Sequence, residues 1–343
     1  MMVREKLYGR TLEELTDVTT AASLPSYAAR QIAGWLYRRG APEIDGMTDL
    51  SLAARDLLQE RYETGLTPPS AVATGSDGTK KYLFPVSSNR FIETAFIPDR
   101  NRATVCLSVQ SGCRMGCRFC MTARQGFQGN LTSNEILNQF RSLPEHESLT
   151  NIVYMGMGEP LDNLSEVLKS LEILTSSWGY GWSPTRITVS TVGITGRIED
   201  FLEKSRCHLA VSLHSPFDDE RQALMPVQKT HPLGKILETI RQFDFGRQRR
   251  VSFEYIVFRG LNDTPAHVRE MARILNGIRC RVNLIRFHAI PGSDYTSPDQ
   301  KEMESLRDSL NAKGITATIR ASRGEDIGAA CGLLSTIEQN INR

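Results

Sequence analysis

Strand-like and helix-like segments alternate in this sequence from Thr104 almost to the end of the chain. A helix is predicted over 133–141, where Thr132 and Glu135 form a capping box ahead of an apolar stripe. Six strand–helix units in series imply a parallel sheet curled into a partial (β/α)6 barrel of the α/β class. The strands are predicted at 104–109, 151–155, 186–190, 209–213, 252–258 and 281–287.

A small helical domain is predicted over residues 1–66. Its first helix begins with the capping box of Thr11 and Glu14. The polar faces carry Arg30, Arg38 and Arg39, which could bind RNA phosphates or simply face solvent. The apolar positions fall into three stripes: Leu12, Leu15 and Val18; Ile32, Trp35 and Leu36, ending at Gly40; and Leu50, Ala53, Leu57 and Leu58.

A linker and a β-hairpin are predicted over residues 67–100, ahead of a barrel domain at 101–343. The hairpin strands are expected at 80–86 and 91–97, on either side of a short turn. Glu93 lies in the second strand and shares a face with Phe91 and Ala95. A carboxylate among apolar neighbours is either at a solvent edge or functional.

Three cysteines, Cys113, Cys117 and Cys120, are spaced C-x3-C-x2-C on a loop that Gly112 and Gly116 interrupt. Structural zinc normally takes four ligands, often as two separated pairs, and the sequence has no second pair. Iron–sulfur clusters are also held by closely spaced cysteines, and three ligands would leave one iron of a four-iron cluster open. A zinc knuckle or a chance group of buried cysteines is the alternative.

Composition places the chain among globular proteins. Of its 343 residues, 40% are apolar and 23% charged, and the net charge of +2 neither requires nor excludes a nucleic-acid partner. The N-terminus lacks an apolar signal-peptide core, and no stretch approaches the roughly 20 apolar residues of a membrane span. We therefore expect a cytoplasmic protein without a membrane partner. The seven cysteines, four of them between Cys106 and Cys120, fit a reducing compartment.

Polar residues and a glycine-rich turn follow several predicted strands. Because the carboxyl ends of parallel strands meet at one edge, these residues are expected to share a ligand. They are Gly158 and Glu159 after the second strand, Ser190 at the third, Ser212, Leu213 and His214 at the fourth, and His288 after the sixth.

Several sequence blocks, in this order, resemble the RlmN/Cfr family of radical S-adenosylmethionine (SAM) RNA adenine methyltransferases. They are CLSVQSGCRMGCRFCMTARQGFQGNL, NIVYMGMGEPLDNL, RITVSTVG, LAVSLHSPFDDERQALMPV, VNLIRFHAIPG and RASRGEDIGAACGLL. The resemblance covers nearly the whole chain, including the N-terminal helices and the segment IETAFIP. It implies a radical SAM barrel and a SAM-dependent methyltransferase.

The resemblance also implies the cofactors and the course of the reaction. Cys113, Cys117 and Cys120 would hold a [4Fe-4S] cluster, with SAM chelated on the open iron. In the family, one SAM methylates a C-terminal cysteine, and a second SAM supplies a deoxyadenosyl radical that takes hydrogen from the S-methyl group. The carbon radical adds to adenine, and proton loss and a second thiol resolve the protein–RNA adduct. Each turnover thus uses two SAM molecules.

By the same resemblance, Cys331 carries the methyl group and Cys106 forms a transient disulfide with it. Glu93 matches the family residue that removes the adenine C2 proton, which replaces its solvent-edge interpretation. His288 stands where many members have Asn, so its contact departs from the family pattern. SAM contacts are implied for Gly158, Glu159, Ser190, Ser212, Leu213, His214 and His288.

The implied reaction is methylation of C2 of adenine in RNA, after the base is unstacked into the site. The implied substrates are adenosine 2503 of 23S rRNA and adenosine 37 of some tRNAs, with an electron donor such as flavodoxin. The chain is expected to be a monomer. Cfr-like methylation of C8 is the alternative within the family, and a non-catalytic zinc or RNA-binding protein is the alternative outside it.

The remaining basic residues and cysteines receive weaker assignments. Cys207 and Cys280 match no family role and are predicted to be structural. Basic residues expected around the mouth of the site could hold phosphates; they are Lys80, Lys81, Arg114, Arg118, Arg124 and the basic run at 247–250.

Overall fold

The computed structural model describes residues 4–246 and 249–336. Ten strands form one sheet, and their order in the sheet follows their order in the sequence. The first four strands pair antiparallel, and the fourth to the tenth pair parallel. They are β1 (Ala71–Thr74), β2 (Lys80–Val86), β3 (Arg90–Asp99), β4 (Arg102–Cys106), β5 (Asn151–Tyr154), β6 (Ile187–Thr191), β7 (His208–Ser212), β8 (Val251–Val257), β9 (Cys280–Arg286) and β10 (Ala317–Ile319).

All six predicted parallel strands are present as β4 to β9, and both hairpin strands as β2 and β3. Strand β4 ends at Cys106, earlier than expected. Just beyond it, the Ser108 side chain connects β3 to the loop after β5: it donates to Glu93 O (2.5 Å) and accepts from Met157 N (2.8 Å). The short strands β1 and β10 were not predicted. Each extends the sheet by pairing along an edge, which local sequence does not specify.

The N-terminal part contains α1 (Leu12–Ala21), α2 (Ala28–Gly34) and α3 (Leu52–Arg61). The capping box of Thr11 and Glu14 is formed, and α2 continues as one π-helical turn that ends at the left-handed Gly40. The predicted stripe on α3 is partly wrong. Leu58 is fully buried, whereas Leu57 is 40% exposed.

The other helices connect the parallel strands, and the Thr132–Glu135 capping box opens the predicted helix at 133–141. Side chains such as Val189, Leu209 and Phe253 on the strands are fully buried and belong to one continuous apolar core with residues of these helices. The helices are α4 (Met121–Gln125), α5 (Ser133–Arg141), α6 (Leu164–Thr175), α7 (Arg197–Lys204), α8 (Asp218–Leu224), α9 (Leu233–Gln242), α10 (Pro265–Ile274) and α11 (Gln300–Ala312).

The C-terminal segment, residues 320–336, runs from β10 back across the hairpin. Ser76 N donates to Asp326 Oδ2 (2.8 Å), and Gly324 N donates to Asp77 Oδ2 (3.0 Å). Farther along, Thr122 Oγ1 of α4 donates to Leu334 O (2.7 Å). The segment is therefore held between the turn that joins β1 to β2 and helix α4. Within the described residues, no helix is long and apolar enough to cross a membrane.

The core of the barrel is expected to dominate its stability. Leu209 lies in β7 and is fully buried. Leu209→Ala should lower the free energy of unfolding by about 2–5 kcal/mol, because the variant buries less apolar surface and leaves a cavity. The matched Leu57→Ala on the exposed face of α3 should change it by less than about 0.5 kcal/mol. Denaturant unfolding of both variants measures the difference. Equal losses would contradict this description of the core.

Candidate active site

A cavity of about 500 Å3 opens where the parallel strands end and continues into the barrel interior. Its wall contains the cysteine triplet and both other cysteines with predicted roles. Most of the predicted SAM contacts lie on the same wall. The predicted residues that line it are Cys106, Cys113, Cys117, Cys120, Gly158, Glu159, Ser190, Ser212, His214, His288 and Cys331.

The cysteine triplet lies on the loop between β4 and α4. Gly112 is required in this loop, because its φ is +70° and an added Cβ would lie 1.6 Å from Gly126 O. Burial raises the pKa of Cys113 to about 12 and raises that of Cys117 as well. Metal binding would release their protons.

The donor set fits an iron–sulfur cluster better than a single zinc ion. Cys113, Cys117 and Cys120 face the same cavity and influence one another electrostatically. Across the described part of the chain, however, no three His, Cys, Asp or Glu side chains form a group suited to one metal ion. A four-iron cluster is larger than one ion, and its cysteine ligands bind different irons.

Glu159 is a buried carboxylate beside the triplet, at the end of β5. Its Oε1 accepts from Thr191 Oγ1 (2.6 Å) and Leu161 N (3.0 Å), and its Oε2 accepts from Val192 N (2.9 Å). Burial raises its pKa to about 7, although these hydrogen bonds oppose the rise. The carboxylate is thus fixed in the cavity wall by three protein donors.

Gly158 allows the chain to approach the neighbouring loop closely. Its φ is +96°, and an added Cβ would lie 2.5 Å from Gln110 Cβ. Any other residue would push the loop of Glu159 out of place.

His214 follows β7 and is neutral, because burial lowers its pKa to about 3. Its Nδ1 accepts from Ile256 N (3.0 Å), so the proton is on Nε2, which can donate to a ligand. Leu213 differs from its neighbours. Its side chain is fully buried, its N–H donates to Glu254 O (2.9 Å), and its carbonyl accepts from Arg221 Nε (3.2 Å). A direct contact of Leu213 with SAM stays a prediction.

His288 is 5% exposed and lines the cavity. Its Nδ1 is 3.4 Å from Glu325 Oε1 but makes no hydrogen bond in the described structure. Buried polar atoms are nearly always bonded. The imidazole therefore has a free position for a polar ligand atom.

Cys106 and Cys331 both line the cavity, close enough for a charge on Cys331 to affect the pKa of Cys106. Cys106 ends β4 and packs with Ala95 and Ala329, next to the C-terminal segment. Burial raises the pKa of Cys106 to about 12, and Cys331 adds to the rise. Cys331 reaches the cavity surface, yet the surrounding protein raises its pKa, and Arg320 opposes this. The two thiols are brought together across most of the sequence.

A polar network under these thiols was missed by the sequence analysis. Arg320 Nη1 lies 3.3 Å from Glu254 Oε2, and Asn283 Nδ2 donates to Glu254 Oε1 (2.7 Å). Its members occupy inward positions of β8, β9 and the segment after β10. The signal was available, because Ser252 and Glu254 alternate with apolar residues in a strand otherwise built for burial.

Glu93 is 3% exposed and lies behind the C-terminal segment. Its Oε2 accepts from Ser335 N (2.9 Å), and its Oε1 is 3.0 Å from Lys81 Nζ. The solvent-edge interpretation is therefore excluded by burial.

Several basic residues are already engaged by protein groups. Lys80 pairs with Glu145 (2.6 Å), and Arg114 pairs with Asp162 (2.9 Å). Arg118 and Arg124 are exposed beside the cysteine loop and stay candidates for phosphate binding, although Arg124 Nη1 already donates to Pro291 O.

Arg249, in the basic run at 247–250, does not lie at the mouth of the cavity. Positions 247 and 248 lie outside the described residues. Arg249 donates to Cys207 O (2.9 Å) and Leu202 O (2.7 Å), at the amino ends of β7 and β8, opposite the cavity opening. Cys207 is 1% exposed there, in keeping with a structural role.

Two of the predicted N-terminal arginines contact protein groups, and the third is exposed. Arg39 pairs with Asp49 (3.0 Å) and lies over Trp35, and Arg38 donates to Gly179 O (3.3 Å). Arg30 is exposed.

Comparison with known proteins agrees with this site. The profile of the Radical SAM superfamily matches residues 107–273, and that of the ribosomal RNA large subunit methyltransferase N-terminal domain matches residues 6–64. The superfamily implies a 4Fe-4S cluster and SAM. A crystal structure of a radical SAM methyltransferase from Sphaerobacter thermophilus superimposes with a TM-score of 0.89 at 39% identity, covering 96% of this chain and 99% of that one. The predicted fold class is thus confirmed.

Curated relatives extend the match over the full length. A probable dual-specificity RNA methyltransferase RlmN of Parabacteroides distasonis is 56% identical over 336 residues, 98% of both chains. The dual-specificity RNA methyltransferase RlmN of Syntrophus aciditrophicus is 44% identical, covering 97% of both. This chain belongs to the RlmN family of radical SAM RNA methyltransferases.

Proposed function

We propose that this enzyme methylates C2 of adenine in RNA through an S-methylcysteine intermediate on Cys331. The proposed substrates are adenosine 2503 of 23S rRNA and adenosine 37 of tRNAs. One observation carries the proposal: Cys331 and Cys106 line the same cavity as the cysteine triplet. A simple SAM methyltransferase would need neither thiol. The dual specificity in the names of the relatives supports both RNA classes.

Cys113, Cys117 and Cys120 would hold the cluster as its three protein ligands. When bound and reduced, the cluster supplies the electron that cleaves SAM and yields the radical that removes hydrogen from the methyl group. The carboxylate of Glu159 would pair with the SAM ammonium group, and His214 Nε2–H and His288 would hydrogen-bond to the same molecule. These residues would orient SAM and exclude water from it.

Three further residues would complete the reaction. Cys331 Sγ accepts a methyl group from the first SAM and later carries it to adenine, so each turnover uses two SAM molecules. Glu93 then accepts the proton from C2 of the adduct. Cys106, after losing its thiol proton, bonds through Sγ to Cys331 Sγ as the bond from Cys331 to the transferred carbon breaks. The electron pair of that bond stays with the carbon, which takes up a proton and becomes the methyl group. The closeness of Cys106 to the C-terminal segment supports this exchange.

The remaining partners are proposed on weaker grounds. Exposed Arg30 on the N-terminal domain, residues 1–66, and Arg118 and Arg124 near the cavity would contact RNA phosphates. Reduction of the cluster requires a one-electron donor such as flavodoxin. We propose a cytoplasmic monomer, consistent with the absence of a spanning helix in the described residues.

Nucleoside mass spectrometry tests the function. Anaerobically reconstituted enzyme, a reductant and methyl-labelled SAM should place label in 2-methyladenosine of both rRNA and tRNA. Label in 8-methyladenosine would move the enzyme to Cfr-like chemistry. An intact cluster with no labelled adenosine would contradict the proposal altogether.

Replacing Cys331 by Ala should reduce methyl transfer to background, because no side chain then carries the methyl group. The iron content and the brown absorbance should match those of the wild type, since Cys331 is not a proposed cluster ligand. Radioactive methyl transfer and iron analysis measure the two properties. Full activity in this variant would exclude the S-methylcysteine route.

Replacing Cys106 by Ala should have a different result. Cys331 still forms the adduct, but no second thiol is present to release it, so the enzyme should accumulate covalently bound to RNA. Denaturing gel electrophoresis with labelled RNA detects this species. A Cys207→Ala variant is the control, because Cys207 lies at the other end of the strands. Absence of adduct from Cys106→Ala would remove the resolving role.

A further inference from the structure

The ion pair between Lys81 and Glu93 is a close charged contact of the proposed base. Lys81 Nζ is 3.0 Å from Glu93 Oε1, and the two side chains are only 21% and 4% exposed. The other carboxylate oxygen accepts from Ser335 N (2.9 Å). Glu93 is thus held from two sides, by the hairpin and by the segment that carries Cys331.

The register of the hairpin produces this pair. Strand β2 pairs with β3 so that Leu83 lies opposite Glu93 and Lys81 lies opposite Ala95. Lys81 and Glu93 are therefore diagonal neighbours on one face of the sheet. Ala95 in turn lies opposite Cys106 on β4, which places the pair on the face of the reactive thiols.

Lys81 also lies near the C-terminal segment. A Cβ added to Gly328 would lie 3.5 Å from Lys81 Nζ, so the ammonium group is close to the part of the segment ahead of Cys331. The neighbouring Lys80 points to the opposite face, where it pairs with Glu145 (2.6 Å). The chain therefore offers two adjacent lysines in similar ion pairs, and only Lys81 faces the site.

Burial makes the cation important for a base. A carboxylate in a low-dielectric setting takes up a proton unless a positive charge or hydrogen bonds stabilise its ionised form. A charged group and a titratable group lie on the same face of the sheet as Glu93: Lys81 on β2, with its Nζ 3.0 Å from the carboxylate, and Cys106 on β4. Of these, Lys81 favours the ionised carboxylate.

We propose that Lys81 is a positioning residue that keeps Glu93 ionised and oriented toward the C-terminal segment, so that it can take the C2 proton of the RNA adduct. This inference rests on the proposed function and extends it to a residue that does not touch the substrate. In the step itself the C2–H bond breaks and a Glu93 O–H bond forms. The electron pair stays with the adduct, and Lys81 keeps its proton.

The test compares Lys81→Met, Lys81→Arg and the matched Lys80→Met in single-turnover reactions with RNA. Three quantities are measured: S-methylation of Cys331 by protein mass spectrometry, the amount of covalent RNA adduct, and the rate of adduct resolution from about pH 6 to pH 9. Thermal unfolding of each variant checks the fold.

Lys81→Met should methylate Cys331 normally but resolve the adduct about tenfold to a hundredfold more slowly at neutral pH. Without the cation the pKa of the Glu93 carboxyl rises, so more of it is protonated, and the resolution rate should recover as the pH is raised. Lys81→Arg should restore most of the rate, and Lys80→Met should behave as the wild type. A merely structural role for Lys81 would not produce recovery at high pH.

Other results would overturn the inference. Resolution at the wild-type rate and pH dependence in Lys81→Met excludes it. Equal slowing in Lys80→Met, or slowing that pH does not relieve, assigns the effect to general damage of the hairpin. If Lys81→Met does not fold, a Lys81→Arg enzyme with the pH profile of the wild type is required for the inference to stand. Wild-type enzyme that forms neither adduct nor 2-methyladenosine would instead contradict the proposed function.

Discussion

The hydrogen bonds that hold the C-terminal segment against the sheet are the contacts on which the site depends. Ser76 N and Gly324 N each donate to a carboxylate across the contact between this segment and the turn that joins β1 to β2, and Thr122 of α4 donates to Leu334 O. These bonds help to keep Cys331 in the cavity that Cys106 also lines, although the two cysteines lie far apart in sequence. The antiparallel strands ahead of the parallel part of the sheet therefore support the candidate site.

A second constraint is the burial of charge within the barrel. Glu93, Glu159 and Glu254 are each less than 5% exposed, and each has at least two polar partners. An unpaired carboxylate at such a depth would be protonated or would destabilise the fold. Their different partners give them different properties. Glu159 has only neutral donors and a pKa of about 7, whereas Glu254 is paired with Arg320 beneath the thiols.

Local sequence predicted the secondary structure well where that structure depends on residues close together in the chain. The capping boxes at Thr11 and Thr132, the hairpin strands and the face of Glu93 depend on neighbours within a few residues, and all were found as expected. The exposed Leu57, the edge strand β10 and the Arg320–Glu254 pair were missed or misplaced. Each is decided by which distant element packs against it, and periodicity does not contain that information.

The sequence by itself determined the cysteine spacing, the alternation of strands and helices and the residues at the strand ends. Together with family resemblance, these led to the cluster, SAM and RNA methylation. Only the tertiary structure decided that Glu93 is buried and paired with Lys81 and that Arg249 lies opposite the cavity opening. It also decided that the Leu213 side chain is buried and that its backbone groups are hydrogen-bonded within the protein. The sequence gives the type of each side chain, but the burial of that side chain, its partners and its access to the cavity depend on how the whole chain packs.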